Sequence, residues 1–204
     1  METLAILRRN LHDMASDQRY CCAMTSIDAH NTKFLGLLHD QIRNEFNASH
    51  QYLASAVYFD NADLPQLAKH FYKQAVEERN HAMMIIQFFL DRDINVELPG
   101  VDPAKGQFES AREPIALALS NEKTVTEQIV HLASTAREEG DYLGEQFMQW
   151  FLAEQVEEVA SMTTLLTIAD RAGGNLFDLE NFVAREMSDV AATAGAPKAA
   201  GGSI

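Results

Sequence analysis

The sequence predicts an all-α protein: a four-helix bundle with one long crossover and a short fifth helix. Three observations carry that expectation. Four runs of roughly 28 residues place apolar side chains at alternating steps of three and four, the period of an amphipathic helix. The strict alternation that marks a half-buried strand is nearly absent. The connections between the runs are short, long and short in that order.

The elements follow in chain order. Between Thr32 and Phe59 the first run holds Gly36 but no proline and no other glycine. Asp63 opens the second run, with Gln66 three residues on as a capping box and Pro65 in the first turn, where a missing N–H is tolerated. That run lasts to about Arg92. Asp93 to Glu109 contains Pro99, Gly100, Pro103 and Gly106 and reads as a connection. Ser110 and Glu113 form a second capping box before the third run, which ends at Glu139-Gly140. Asp141 caps a fourth run that stops at Gly173-Gly174, and Asn175 precedes a short fifth helix from Leu176 to Met187. The domain therefore covers residues 32–187. Residues 188–204, rich in Ala and Gly, are expected to be a flexible tail. Residues 1–31 fall outside the pattern as an N-terminal extension, with Met24 an alternative start.

Short links make the first and second helices antiparallel, and likewise the third and fourth. At ~1.5 Å per residue a helix of this length spans about 42 Å, and a 17-residue link at ~3.3 Å per residue reaches about 56 Å, so the middle connection can run the length of the bundle. A link that long inside a compact domain is expected only as such a crossover.

Composition narrows the function. The 204 residues suit one domain or a tight pair, and 47% apolar content supplies a core. Sixteen Lys and Arg against thirty Asp and Glu give a net charge of −14, which opposes a nucleic-acid partner and favours cations or simple solubility. No uncharged apolar run approaches the ~18 residues of a membrane span, so no membrane partner is expected. Cys21 and Cys22 are the two cysteines and, as neighbours, cannot staple a fold; a reducing cytoplasm fits. Arg8-Arg9 is not followed by the apolar run of an export signal.

Carboxylates sit in the apolar stripes. The first helix presents Leu35, Leu38, Ile42, Glu45, Ser49, Tyr52, Ala56 and Phe59 on one face, and the second Leu64, Leu67, Phe71, Gln74, Glu78, His81, Ile85 and Phe88. The third gives Ile115, Ala118, Glu122, Val125, Ile129, Leu132 and Ala136, and the fourth Met148, Phe151, Gln155, Glu158, Met162, Leu165 and Ala169. Heights agree as well: Glu45 lies 15 residues before Asp60 and Glu78 lies 14 after Leu64, while Glu122 and Glu158 each lie 18 from Gly140. The halves repeat, because Glu45 to Glu78 and Glu122 to Gln155 are both 33 residues.

No Lys or Arg interrupts these stripes. Burying one unpaired carboxylate costs several kcal/mol, so four would cancel a typical domain's stability. Divalent cations remove that cost. Without a thiolate near the cluster a structural zinc site is disfavoured, and oxygen ligands with one imidazole suit iron or manganese. Four carboxylates suffice for two ions, with one Glu placed to bridge, which is a known way for bundles to build carboxylate metal sites.

The segments NEFNASHQY (44–52), EERNHA (77–82), NEKTVTEQI (121–129) and EQFMQWFLAEQVEEV (145–159) closely resemble the bacterial non-haem ferritins, actinobacterial type, and the resemblance covers residues 32–187. It implies a ferritin-like ferroxidase and iron store. Twenty-four copies would form a hollow shell, oxidise Fe(II) with O2 or H2O2 inside each bundle, and deposit ferric mineral. Carried over by position, Glu45, Glu78 and His81 hold a first iron; Glu78 bridges to a second held by Glu122, with Gln155 and Glu158 close by. Glu77, Glu154 and Glu157, with Glu158, match a third iron site. Tyr52 matches the tyrosine beside the di-iron pair, and Trp150 is similarly placed. The fourth helix reads Gln155-Val156-Glu157-Glu158 where bacterioferritins carry a second Glu-x-x-His. Arg79 stands where their haem-ligating Met follows the helix-two Glu, so no haem is expected. The small DNA-protecting relatives lack a fifth helix, and this tail has one Lys, Lys198. Glu145 matches an acidic pore position, with Met148 at the second such position. His12, His30, His39, His50, His70 and His131 share no ligand spacing and read as surface or packing residues. The competing expectations are a soluble di-iron oxidase or peroxidase without a cage, against which the fifth helix weighs, and a purely structural bundle, which the inward acids oppose.

Overall fold

The computed structural model describes residues 32–187 and 195–204; the readings made on Arg8, Arg9, Cys21, Cys22, Met24, His12 and His30 lie outside them. The described residues form five helices and no strand: α1 (Lys33–Asn61), α2 (Pro65–Asp91), α3 (Arg112–Glu139), α4 (Tyr142–Ala172) and α5 (Leu176–Glu186). α1 packs along α2 and α3 along α4, α1 also meets α3, and α5 closes one end against α2 and α4. None of these helices is long and apolar enough to cross a membrane.

The stripes face inward. Of their members only Ser49, Phe88 and Ala169 are less than fully buried. Two apolar clusters result. One holds Phe34, Leu38, Ile42, Ile85, Ile129, Met148 and Phe151; the other holds Phe59, Leu67, Phe71, Ile115, Met162 and Leu165, with Leu179 and Val183 from α5. The polar residues of the stripes lie between these clusters in sequence on every long helix, so each helix contributes apolar surface on both sides of the acidic layer.

Two helix starts are capped from far away. The expected box at Asp63 and Gln66 does not form: Asp63 takes a positive φ of 55° to turn the chain, and Leu64 is the N-cap without a side-chain bond. Instead the N–H groups of Gln66 and Leu67 donate to the two oxygens of Glu180 on α5, at 2.9 and 2.8 Å. The α1 start is built alike, with Lys33 and Phe34 N–H donating to Glu139 at the end of α3, both at 3.0 Å. A carboxylate at a helix N-terminus satisfies orphan donors and complements the dipole whatever its place in the chain. At α3 the N-cap is Ala111 rather than Ser110, and Glu113 reaches back to the N–H of Glu109 at 3.2 Å. Asp141, Asn175, Gly140 and Gly173 end or start helices as expected. α4 comes close to α1 at Gly144, where a Cβ would lie 2.3 Å from the Phe34 ring.

The crossover is pinned to one row of α1. His39 Nε2 lies 2.9 Å from the Glu97 carbonyl. Asp102 accepts from Arg43 at 2.5 Å and Asn47 at 2.9 Å, and Gln51 exchanges two bonds of 2.9 Å with the Lys105 backbone. Residues 39, 43, 47 and 51 are spaced by four, so one helical edge carries the strap along the bundle.

The tail departs from the expected looseness over residues 195–204. Ala199 and Ala200 are buried in the first apolar cluster, the Ala200 N–H donates to the Met83 carbonyl at 2.9 Å, and Ile204 exchanges backbone bonds with the Asn80 amide at 3.2 and 3.4 Å. Small side chains allow this segment to approach α2 closely, a property that composition alone reads as floppiness.

Candidate metal centre

The acidic layer is built from α1 to α4. Exposure falls to 1% for Glu45, Glu78 and Glu122, 2% for His81, 3% for Gln155 and 6% for Glu158. One ligand atom from each of Glu45, Glu78 and His81 lies within 4.8 Å of the others. His81 Nδ1 is 3.2 Å from Glu78 Oε2. The imidazole is held edge-on by Trp150 and Phe151, with ring centroids 5.5 and 5.7 Å away. Gln41 donates to Glu45 Oε1 at 2.9 Å. The other oxygens, Glu45 Oε2 and Glu78 Oε1, are buried without a hydrogen-bond partner. Unsatisfied carboxylate oxygens beside an imidazole, with no Lys or Arg among them, are a donor set fitted to a cation.

The α3–α4 side is arranged differently. Tyr52 Oη donates to one oxygen of Glu122, and Gln155 Nε2 reaches the other at 3.5 Å. Thr126 Oγ1 lies 2.8 Å from Gln155 Oε1 and 2.7 Å from the Glu122 carbonyl, which anchors the amide. Glu158 accepts from Gln74 at 3.3 Å, and the same Gln74 amide donates to Glu77 at 2.9 Å. Glu158 also joins Glu77 and Glu154 in a second group whose ligand atoms lie within 4.8 Å of one another.

Electrostatics follow burial. Loss of water, then the charge of Glu78, pushes the Glu45 carboxyl up from 4.5 to about 8. Burial and the neighbouring Glu122 raise Glu78 well above the carboxylate range, and Glu158 is raised likewise by burial first and Glu122 second. Burial also raises Glu122, although the Tyr52 hydroxyl works against it, and burial beside Glu122 lifts the Tyr52 phenol. Burial therefore favours the protonated form of these acids, and a divalent cation competes for the protons' places.

A family profile described as the Ferritin-like domain matches residues 35–172. The chain belongs to the ferritin family. It is similar to the Ferritin BfrB of Mycolicibacterium smegmatis, 66% identical over 181 residues that cover 89% of this chain and all of that relative. The Bacterial non-heme ferritin of Staphylococcus aureus is 37% identical over 68% of this chain and 84% of its own. Among solved structures, an open pore ferritin from Archaeoglobus fulgidus superposes with a TM-score of 0.74 at 28% identity, covering 78% of this chain and 99% of that one. Ferritin membership carries a coarse role, iron storage.

In this ferritin most of the residues singled out from sequence come together. Glu45, Glu78 and His81 come together, as do Glu122, Tyr52 and Gln155, with Glu158 beside them. Glu77 and Glu154 meet Glu158, and Glu154 is buried rather than on a solvated face. Glu157 is exposed and does not join the two groups whose ligand atoms lie within 4.8 Å of one another. Met148, matched to a pore position, is fully buried in the bundle core, and Glu145 pairs with Arg137 at 2.6 Å. Arg79 follows Glu78 half-buried, as one α-helical step requires. Sequence reasoning missed Gln41 and Thr126, and placed Gln74 inward without giving it a role. Gln41 and Thr126 each sit four residues from an inward acid, so one turn of helix carries them to that acid's side, whereas Gln74 bonds Glu77 and Glu158.

Proposed function

We propose that this ferritin oxidises Fe(II) at a two-iron centre within each bundle and stores the Fe(III) as mineral inside a homo-oligomeric shell of twenty-four chains. The observation that carries the reading is the buried constellation of Glu45, Glu78, His81, Glu122 and Glu158, in which, among the described residues, no Lys or Arg pairs with the acids. Glu45, Glu78 and His81 hold the first Fe(II), Glu78 faces both ions, and Glu122 holds the second with Gln155 and Glu158 near. Two Fe(II) each give one electron to O2, which takes two protons and leaves as H2O2; with H2O2 as oxidant, two electrons and two protons yield two waters. The protein's part is to fix two substrate ions side by side and to exchange carboxyl protons for them. Tyr52, bonded to Glu122, holds that carboxylate in position beside the second ion. Glu77, Glu154 and Glu157, with Glu158, take a third iron. Arg79 offers no thioether, so the protein binds no haem. The cytoplasm, where Fe(II) is available, is the expected location, with residues 32–187 as the working domain.

Assembly is supported by exposed apolar side chains at both ends of the bundle, Tyr142 and Leu143 at the α4 start and Phe177 on α5. A soluble di-iron oxidase without a cage would share the centre and lack the shell. Native mass spectrometry of the purified protein, with stopped-flow absorbance at two Fe(II) per chain, separates the two. A shell near twenty-four chains with a fast ferric phase is the expected outcome. A monomer or dimer removes storage, and a shell without the fast phase removes the oxidation centre.

A further inference from the structure

Gln41 is buried as deeply as the acids of the central layer, at 1% exposed, although it lies one residue off the apolar stripe of α1. A buried side-chain amide carries both donors and an acceptor that need partners. Here its own helix supplies them. Gln41 Nε2 donates to Glu45 Oε1 at 2.9 Å, four residues on, and Gln41 Oε1 accepts from Asn44 Nδ2 at 3.0 Å, three residues on. Steps of three and four put these side chains on one edge of the helix, so the chain Asn44–Gln41–Glu45 is set by α1 alone. Asn44 is half-buried and lines a cleft of about 370 Å³ between α1, α3 and the crossover. The chain therefore starts at the surface and ends inside the acidic layer.

The amide makes the two oxygens of Glu45 unlike. Oε1 is taken by Gln41, and Oε2 has no hydrogen-bond partner. The last torsion of a glutamate is broad, so a carboxylate with neither oxygen tied is free to turn. A Lys or Arg at position 41 would stop the turning but would compete with a cation for the acid. A neutral donor orients the group and leaves its charge for the ion. The other half of the centre has an amide too, but Gln155 reaches Glu122 from a different helix and at 3.5 Å. Gln41 thus acts on one acid only.

We propose that Gln41 is a positioning residue for the first iron: it holds Glu45 so that the partnerless oxygen meets the ion, while Asn44 fixes the sense of the amide from the cleft side. The inference rests on the reading of the acidic layer as a two-iron centre. Groups that orient a metal ligand through a hydrogen bond cost about 10–100-fold in affinity when removed.

The test is anaerobic calorimetric titration of Fe(II) into the iron-free, assembled protein, so that binding is read without oxidation. His81→Ala marks the step that belongs to the first ion. Gln41→Met, which keeps length and bulk without the donor, should weaken that step by about tenfold and leave the other within about twofold. A merely loosened bundle would weaken both. Asn44→Ala should weaken the same step by less, and the double variant should bind no more weakly than Gln41→Met, because the outer amide acts through the inner one. Native mass is the folding control, and Asn44→Ala keeps the test alive if Gln41→Met does not assemble. Parental affinity at the first step in either folded variant overturns the role of Gln41 and leaves the two-iron centre standing. An equal loss at both steps, or an additive loss in the double variant, does the same. A parent that binds no Fe(II) overturns the centre and the proposal together.

Discussion

The two halves of the bundle hold the same positions with different chemistry. In α1 and α2, Glu45 and Glu78 stand 33 residues apart and His81 follows after three; in α3 and α4, Glu122 and Gln155 stand 33 apart and Glu158 follows after three. The first half brings three ligand atoms within 4.8 Å and leaves two carboxylate oxygens without partners. The second half ties its carboxylate to a phenol and an amide, and that amide to Thr126. Satisfied oxygens must give up hydrogen bonds to take an ion, whereas orphaned oxygens gain from it. On the proposed two-iron reading, the first half should hold its ion more tightly than the second.

The largest effect expected is at the residue facing both halves. Glu78→Ala should slow the fast phase of Fe(II) oxidation by on the order of 100-fold, since misplacing two reacting ions by an ångström costs that much. Native mass should stay that of the parent, because removing one buried acid relieves repulsion. Parental kinetics in stopped-flow would remove Glu78 from the bridging position. The comparison sharpens with single-half variants. His81→Ala should lower the affinity for the first Fe(II) by about 10–100-fold, and Thr126→Val should lower that for the second by about tenfold or less, both read by anaerobic titration. Equal losses in the two variants would mean that the halves are not distinct.

A smaller effect comes from pH. The Glu45 carboxyl ionises near 8 in the fold and near 4.5 when unfolded, and Glu78 and Glu158 are raised in the same direction. Between those values the folded state binds more protons than the unfolded state, so stability falls as pH rises. The iron-free protein should therefore melt lower at pH 8 than at pH 6 in calorimetry, and Zn(II) should flatten that slope by holding the acids ionised in the fold. A Tm that rises from pH 6 to 8 without metal would contradict the protonated cluster. The smallest effect concerns the second group: Glu77→Ala should leave the fast phase within about twofold, since its side chain points about 100° from Glu78 at ~3.6 residues per turn, and should change only later iron uptake. No measurable change is expected on deleting residues 1–23, as the family match begins at residue 35 and the first described helix at Lys33; loss of the shell on gel filtration would show otherwise.

Much of this was legible because helices translate spacing into direction. A step of three or four fixes a face, so Glu45, Glu78, Glu122, Gln155 and Glu158 could be placed inward from the stripes alone. Equal distances from a tight turn fix height, which matched Glu45 with Glu78 and Glu122 with Glu158. Gln41 and Thr126 escaped because a polar residue one turn from an acid looks the same whether it faces solvent or the acid. Glu154 came from the resemblance and not from the stripes, because an acid just off the stripe reads as solvated until tertiary packing buries it.

The sequence by itself determined the helices, the crossover, the inward acids and the absence of basic residues among them, since each depends on local period and residue type. Only the tertiary structure decided which oxygens are left without partners, that Glu180 and Glu139 cap helices from more than a hundred residues away, and that residues 195–204 lie on α2. Those features are distances between segments far apart in the chain. Periodicity gives the direction in which a side chain points, and packing alone gives what it meets there.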